Sequence, residues 1–286
     1  MSTPATPFRP PSSASSSVVD AELAGRFVAW SAATVAGRVQ VGPAASAIEA
    51  GTNAHVVVGS PAASAETSQE ISLREALDAM LAAQPRRLTL VLPTTGDPLG
   101  LSGIGPFTQA AVLAEVGVAV EYADASFGWV PEPDARGSSY SGVRWKVLPG
   151  SAAATVLTVD ADRIVEQADR ALRRALRSAT ETLGNVDLAR WRPEVASGRV
   201  AADAALQAKV RAMPPGWPVA ARVLGERAIA LWRVLRVATA DQGAVSASGS
   251  AARIEALRAL SHAVREATMT AFNVPAAALL RDSGVR

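Results

Sequence analysis

Arg87-Leu-Thr-Leu-Val-Leu-Pro-Thr-Thr-Gly-Asp-Pro-Leu-Gly-Leu-Ser-Gly-Ile-Gly-Pro106 decides how the chain is read. Its opening is apolar and β-branched and predicts a short buried strand over residues 88–92. The strand empties into a loop carrying Gly96, Gly100, Gly103 and Gly105, with Asp97 and Ser102 among them. A helix is expected from Phe107 to about residue 116. Strand, glycine loop and helix in that order often mark a ligand site in α/β proteins, because glycine lets the backbone approach and turns N–H groups outward. The loop matches no diagnostic motif. No Gly-Lys-Ser/Thr follows, which excludes a Walker A loop, and the glycine spacing does not supply G-x-G-x-x-G. Ser102 lies two residues after Gly100, but Ile104 stands where a nucleophile elbow needs glycine. Two readings stay open. Gly96, Asp97, Gly100, Ser102 and Gly103 form a ligand or partner site, or the glycines supply positive φ to a tight turn with prolines as rigid ends.

Outward from this stretch, helices and strands alternate. Residues 20–35 place Leu23, Phe27, Trp30 and Thr34 at helical spacing. His55 to Val58 reads as a short strand. Ser72 with Glu75 three residues later forms a capping box for a helix that Pro85 ends. Further strands are expected over residues 118–122 and 142–148, and the alternation favours at least partly parallel pairing. Beyond Pro149 the strand signal fades. Residues 160–183 form an amphipathic helix with Ile164, Ala168, Leu172, Ala175, Leu176 and Ala179 on its apolar side, closed by Gly184-Asn185. A short helix over residues 200–213 follows. Pro214-Pro-Gly-Trp-Pro218 then breaks the chain and starts a helix over 219–240. Residues 243–249 are a loop, and residues 250–272 the last long helix. The fold expected is α+β or α/β: a small mixed sheet flanked by helices, then an all-helical bundle. The chain divides into a disordered leader (1–18), an α/β domain with the glycine loop (19–150), a helical domain (151–276) and a tail (277–286).

Composition narrows the chemistry. Apolar residues make up 49% of the 286 and charged ones 19%, a globular balance. There is no cysteine, which removes thiol catalysis, disulfides and cysteine-held zinc or iron–sulfur clusters. The two histidines, His55 and His262, lie far apart in sequence, and each reads as a lone residue. No metal site and no cofactor are expected. No signal peptide or bilayer-length apolar run is visible, so a cytoplasmic location without membrane contact is expected. Arginine outnumbers lysine 26 to 2, in step with abundant alanine, valine and glycine, the mark of a GC-rich genome. Residues 1–150 carry 9 basic and 13 acidic side chains, and the remainder 19 basic and 13 acidic. An acidic half joined to a basic half can dock internally, dimerise or meet an anionic partner.

Other constellations have ordinary readings beside the functional ones. Asp97 with Asp124 or Glu132 could make an acid–base pair for an enzyme acting on a small or phosphorylated metabolite. Asp134 sits at or just beyond a strand end and Glu121 within a strand; for these carboxylates ordinary solvated loop charge is the simpler account. Trp129, Trp145, Trp191, Trp217 and Trp232 are scattered and read as core anchors. Arg163, Arg170, Arg173, Arg174 and Arg177 line one helix, but Glu166–Arg170 and Asp169–Arg173 are i,i+4 pairs. Nucleic acid is therefore not the expected partner.

Gly96-Asp-Pro-Leu-Gly-Leu-Ser-Gly103 after an apolar strand, with Met213-Pro-Pro-Gly-Trp-Pro218 before a helical tail, resembles a group of actinobacterial proteins known only as hypothetical. The resemblance spans residues 20–275. It implies the two-part layout in a bacterial cytoplasmic protein, and no activity, cofactor or catalytic residue. The function expected is binding of a partner protein or small polar ligand through residues 96–105, with Asp97 and Ser102 supplying hydrogen bonds. The alternatives are the carboxylate enzyme and weak nucleic-acid binding by the basic helices.

Overall fold

The structure, a computed structural model, describes residues 16–52, 54–59, 70–134, 136, 142–152, 160–186, 213–240 and 247–284. In chain order the described elements are α1 (Ser16–Val35), α2 (Val41–Glu49), β1 (His55–Val58), β2 (Glu70–Ser72), α3 (Leu73–Ala82), β3 (Arg87–Val91), α4 (Pro106–Ala114), β4 (Gly117–Glu121), β5 (Ser126–Asp134), β6 (Gly142–Pro149), α5 (Ala161–Val186), α6 (Val219–Ala240) and α7 (Ala247–Asp282). The strands form one sheet in the order β2-β1-β6-β5-β4-β3. Among the described strands only β1 and β6 pair in parallel, and every other neighbour is antiparallel. The architecture is α+β: a six-stranded mixed sheet with helices, followed by a helical region.

Strand alternation gives the sheet two unequal faces. The inner face presents Val57, Leu88, Leu90, Val118, Val120, Trp129, Val143 and Trp145 to the main core. Helix α1 lies in that core and is buried on all sides from Ala21 to Thr34. Its small residues make this possible. A Cβ on Gly25 would come within 2.5 Å of the Phe272 ring on α7, so the two helices cross at a distance that only glycine allows. Phe27 of α1 meets the two sheet tryptophans, with ring centroids 5.1 Å from Trp129 and 4.8 Å from Trp145. Both charged side chains in the buried stretch of α1 from Ala21 to Thr34 have partners. Glu22 receives Arg233 of α6 at 2.6 Å, and Arg26 donates to the Ala50 carbonyl at 2.7 Å.

The outer face is thinner. Val91, Ala119 and Val130 pack under α4 through Phe107 and Ala111, one turn apart. Phe107 occupies a socket of missing side chains. A Cβ on Gly117 would lie 2.7 Å from its ring and one on Gly150 2.5 Å from its Cβ; a Cβ on Gly128 would collide with the ring outright. Toward β1 and β2 the polar side chains of this face form ion pairs instead. Arg136 meets Glu70 and Asp134 at 2.7 Å each, Arg144 meets Glu70 at 2.8 Å, and Lys146 meets Glu132 at 2.7 Å.

Strand β3 is a sheet edge, and α7 closes it. The Asn273 side-chain oxygen accepts from the Leu90 N–H at 2.7 Å, while its amide nitrogen donates to the Leu90 carbonyl at 3.0 Å. One side chain thereby supplies both bonds that a neighbouring strand would have made. Arg265, one helical stretch earlier, donates to the Leu92 carbonyl at 2.8 Å.

Several expectations need correcting. The reading from sequence passed over β5, which holds Glu132 and Asp134 within a strand rather than in a loop. Helix α5 runs through Gly184 and Asn185 to Val186, so that pair does not close it. The last helix starts at Ala247, inside the expected 243–249 loop, and continues past Phe272 to Asp282. Residues 200–212 of the expected short helix, and Trp191, lie outside the described residues. The capping box of α3 is present, with the Glu75 N–H donating to Ser72 Oγ at 3.2 Å and the Ser72 N–H to the Glu75 carboxylate at 2.8 Å. The four described tryptophans from the expected anchors, Trp129, Trp145, Trp217 and Trp232, are all buried.

Candidate functional site

The loop after β3 is built from two successive tight turns. Thr94 and Asp97 exchange both backbone hydrogen bonds at 2.9 Å, with Gly96 at φ +81° between them. Leu101 then donates to the Pro98 carbonyl at 2.8 Å, with Gly100 at φ +83° in the third position of the turn. Gly100 is also a packing requirement, because a Cβ there would stand 2.5 Å from Met269 Cε of α7. Gly103 has φ +72° and open space around it. An isolated bridge between Leu101 and Ala152 ties the loop to the chain leaving β6.

Both polar side chains expected to serve the loop have partners within the protein. Ser102 Oγ lies 3.1 Å from Ser151 Oγ and 3.3 Å from the Ser151 carbonyl oxygen. Asp97 Oδ2 accepts from Arg265 at 2.5 Å and lies 2.7 Å from Nδ1 of His262. Partial burial works to raise the Asp97 pKa, but the hydrogen bonds and charges of His262 and Arg265 outweigh it and hold the group below the ordinary carboxylate range. Arg265 is only 4% exposed, so the clasp is anchored in the interior while Asp97 and His262 remain partly open to solvent. On its other side, His262 Nε2 faces Glu266 Oε1 at 3.6 Å.

This clasp joins residues 165 and 168 positions apart in sequence. It gives His262 a setting that a lone histidine in a helical stretch does not announce. The i,i+3,i+4 spacing of His262, Arg265 and Glu266 on one helix was visible, but nothing local connects that helix to Asp97. His55 is different. It is buried, its Nδ1 accepts from the Trp145 indole N–H at 3.3 Å, and its Nε2 meets Thr52 Oγ1 at 2.8 Å. Because indole can only donate, the ring proton sits on Nε2. Burial and then the nearby Arg26 cation push His55 down to about 4, so it is a neutral core residue.

The carboxylates of the enzyme alternative are not brought to Asp97. Register pairs Val91 with Gly117 and Arg87 with Glu121, so Asp97 and Asp124 leave opposite ends of the β3–β4 ladder. Glu132 is engaged by Lys146 on the outer face. Glu121 accepts from Arg87 Nε at 2.9 Å. Among the described residues no three His, Asp or Glu side chains converge as a metal-binding group, and no helix is long and apolar enough to cross a membrane. On α5, Arg170 meets Glu166 at 3.4 Å and Arg173 meets Asp169 at 2.6 Å, as the spacing predicted.

Beside the clasped loop lie two large apolar side chains in water. Ile104 is 98% exposed and Leu113 87%. Pro106, Gln109 and Leu113 are all exposed and stand at i, i+3 and i+7 on α4, a ridge opposite Phe107 and Ala111 that begins next to Ile104.

Fold and site together define an α+β protein whose C-terminal helix caps the edge of its sheet and clasps the adjoining glycine loop. The model for the N-terminal domain of Rv1486c-like proteins matches residues 24–159, and that for their C-terminal domain matches residues 166–269. The chain belongs to the Rv1486c-like family. Neither a curated protein nor a solved structure matches it.

Proposed function

We propose that the chain is a cytoplasmic actinobacterial protein that works by binding another protein through the 94–105 loop and the outer ridge of α4. In this reading an α/β domain over residues 19–150 presents the face, and a helical domain over 151–276 stiffens it from behind through Arg265, His262 and Met269. One observation carries the proposal: Asp97 and Ser102 are engaged internally, while Ile104 and Leu113 at the same edge are 98% and 87% exposed. A loop whose polar groups are occupied but whose apolar groups are bare is suited to a protein surface more than to a small polar ligand. Rigid turns also lower the ordering cost of docking.

The test is a photoreactive amino acid placed at Ile104 or Leu113 of the full chain in the source organism, with Ile254 on α7 as a control at 57% exposure. The expected result is a shared crosslinked species from positions 104 and 113, weakened by Leu113→Asp when the probe is at 104, and absent from 254. Crosslinks equal at all three positions, or none at 104 and 113, would refute the reading.

A further inference from the structure

We propose that His262 and Glu266 form a surface site for a late first-row divalent cation of the zinc class, with Asp97 holding the histidine in its ligating form. The inference does not depend on the partner reading, since it concerns the solvent side of α7 and not the α4 ridge.

The geometry begins with proton accounting. Asp97 Oδ2 accepts from the Arg265 guanidinium at 2.5 Å, so the carboxylate is ionised, and its 2.7 Å contact with His262 requires the ring proton on Nδ1. In the neutral ring that leaves a lone pair on Nε2. Nε2 faces the Glu266 carboxylate at 3.6 Å, two electron-rich atoms one helical turn apart. Something positive belongs between them. The separation is within ion-pair range but too long for a direct N–H···O hydrogen bond. A metal ion matches better, because two ligand atoms each about 2.1 Å from a tetrahedral ion stand about 3.4 Å apart.

The surroundings are those of a metal-bound histidine. Ligating imidazoles characteristically donate their second N–H to a carboxylate, which fixes the ring and raises its basicity. Here Asp97 plays that part and is itself fixed by Arg265, which is 4% exposed and also anchored on the Leu92 carbonyl. Imidazole with carboxylate is a donor set suited to zinc and its neighbours. His262 and Glu266 have side chains 43% and 56% exposed, so an ion can reach them and water can fill its remaining positions. The charges of Asp97, Glu266 and Arg265 sum to one negative, which attracts a cation. The proposal departs from the sequence-based expectation of no metal, and it involves two protein ligands where three do not converge.

The experiment is zinc titration of the full chain by calorimetry and by nitrogen-15 NMR of the histidine rings. One zinc per chain is expected, moving Nε2 of His262 and leaving His55 unchanged. His262→Gln and Glu266→Gln should each abolish stoichiometric binding, and both sites are exposed enough for the variants to fold. Asp97→Asn should retain the site but weaken it roughly 10–100-fold. Absence of stoichiometric binding, binding indifferent to both glutamine variants, or a His262 ring that responds to pH and not to zinc would each overturn the proposal.

Discussion

The two faces of the sheet are held by different means. The inner face is buried under α1, which is itself enclosed by α6 and α7, and many side chains share the load. The outer face depends on α4, whose grip on the sheet is centred on Phe107 in its glycine socket, with Ala111 beside it. One face is a redundant core, and the other is an attachment with a single principal anchor. The difference teaches where function can be carried. The attachment bears the exposed Ile104 and Leu113, and its loop is steadied by the clasp to α7.

The largest expected effect tests the anchor. Phe107→Ala should cost roughly 3–5 kcal/mol in chemical denaturation, because burial is complete and the socket is lined by backbone that cannot collapse. Gly128→Ala should destabilise the protein by forcing the ring out of place. If either variant is as stable as the parent, the outer layer does not rest on Phe107.

Next comes acid sensitivity of the inner face. The His55 imidazole falls from an ordinary value near 6.5 to about 4 in the folded chain. Below pH 6.5 the unfolded chain takes up a proton that the folded chain refuses until about pH 4, so stability is lost across that window as pH falls. The full loss attributable to His55 is about 3 kcal/mol. Urea midpoints at pH 7, 6, 5 and 4 should fall more steeply for the parent than for His55→Gln. Parallel curves would mean that His55 is protonated in place.

The smallest effect concerns the edge where the faces meet. Asn273→Ala leaves the Leu90 N–H and carbonyl without their side-chain partner and should cost about 1–3 kcal/mol. Hydrogen exchange should accelerate at Leu90 before it does at Thr89, whose register turns its N–H toward β4. No change at Leu90 would show that water replaces the amide at no cost.

Much of the fold was legible because its signals are local. Strand β3, the capping box at Ser72, the break at Pro214 and the apolar stripe of α5 each follow from spacing within a few residues. Helix α1 was visible through Leu23, Phe27 and Trp30, but its burial on every side was not, since Ala24, Gly25, Ala29 and Ala33 give no periodic signal. Strand β5 was hidden by Gly128, Pro131 and Pro133, residues that weaken a strand reading although the glycine is there to admit Phe107. Gly96, Gly100 and Gly103 adopt the positive φ that the turn reading required, whereas Gly105 is extended. The clasp was out of reach. Asp97 and His262 meet only because α7 crosses the sheet edge, and no pattern in one sequence encodes that crossing.

Native-state hydrogen exchange at low denaturant tests most directly whether the α4 layer opens separately from the core. The account predicts that amides of residues 106–114 exchange through a local opening insensitive to denaturant, while those of residues 21–34 exchange only through denaturant-sensitive global unfolding. A common denaturant dependence and equal protection for the two helices would contradict it.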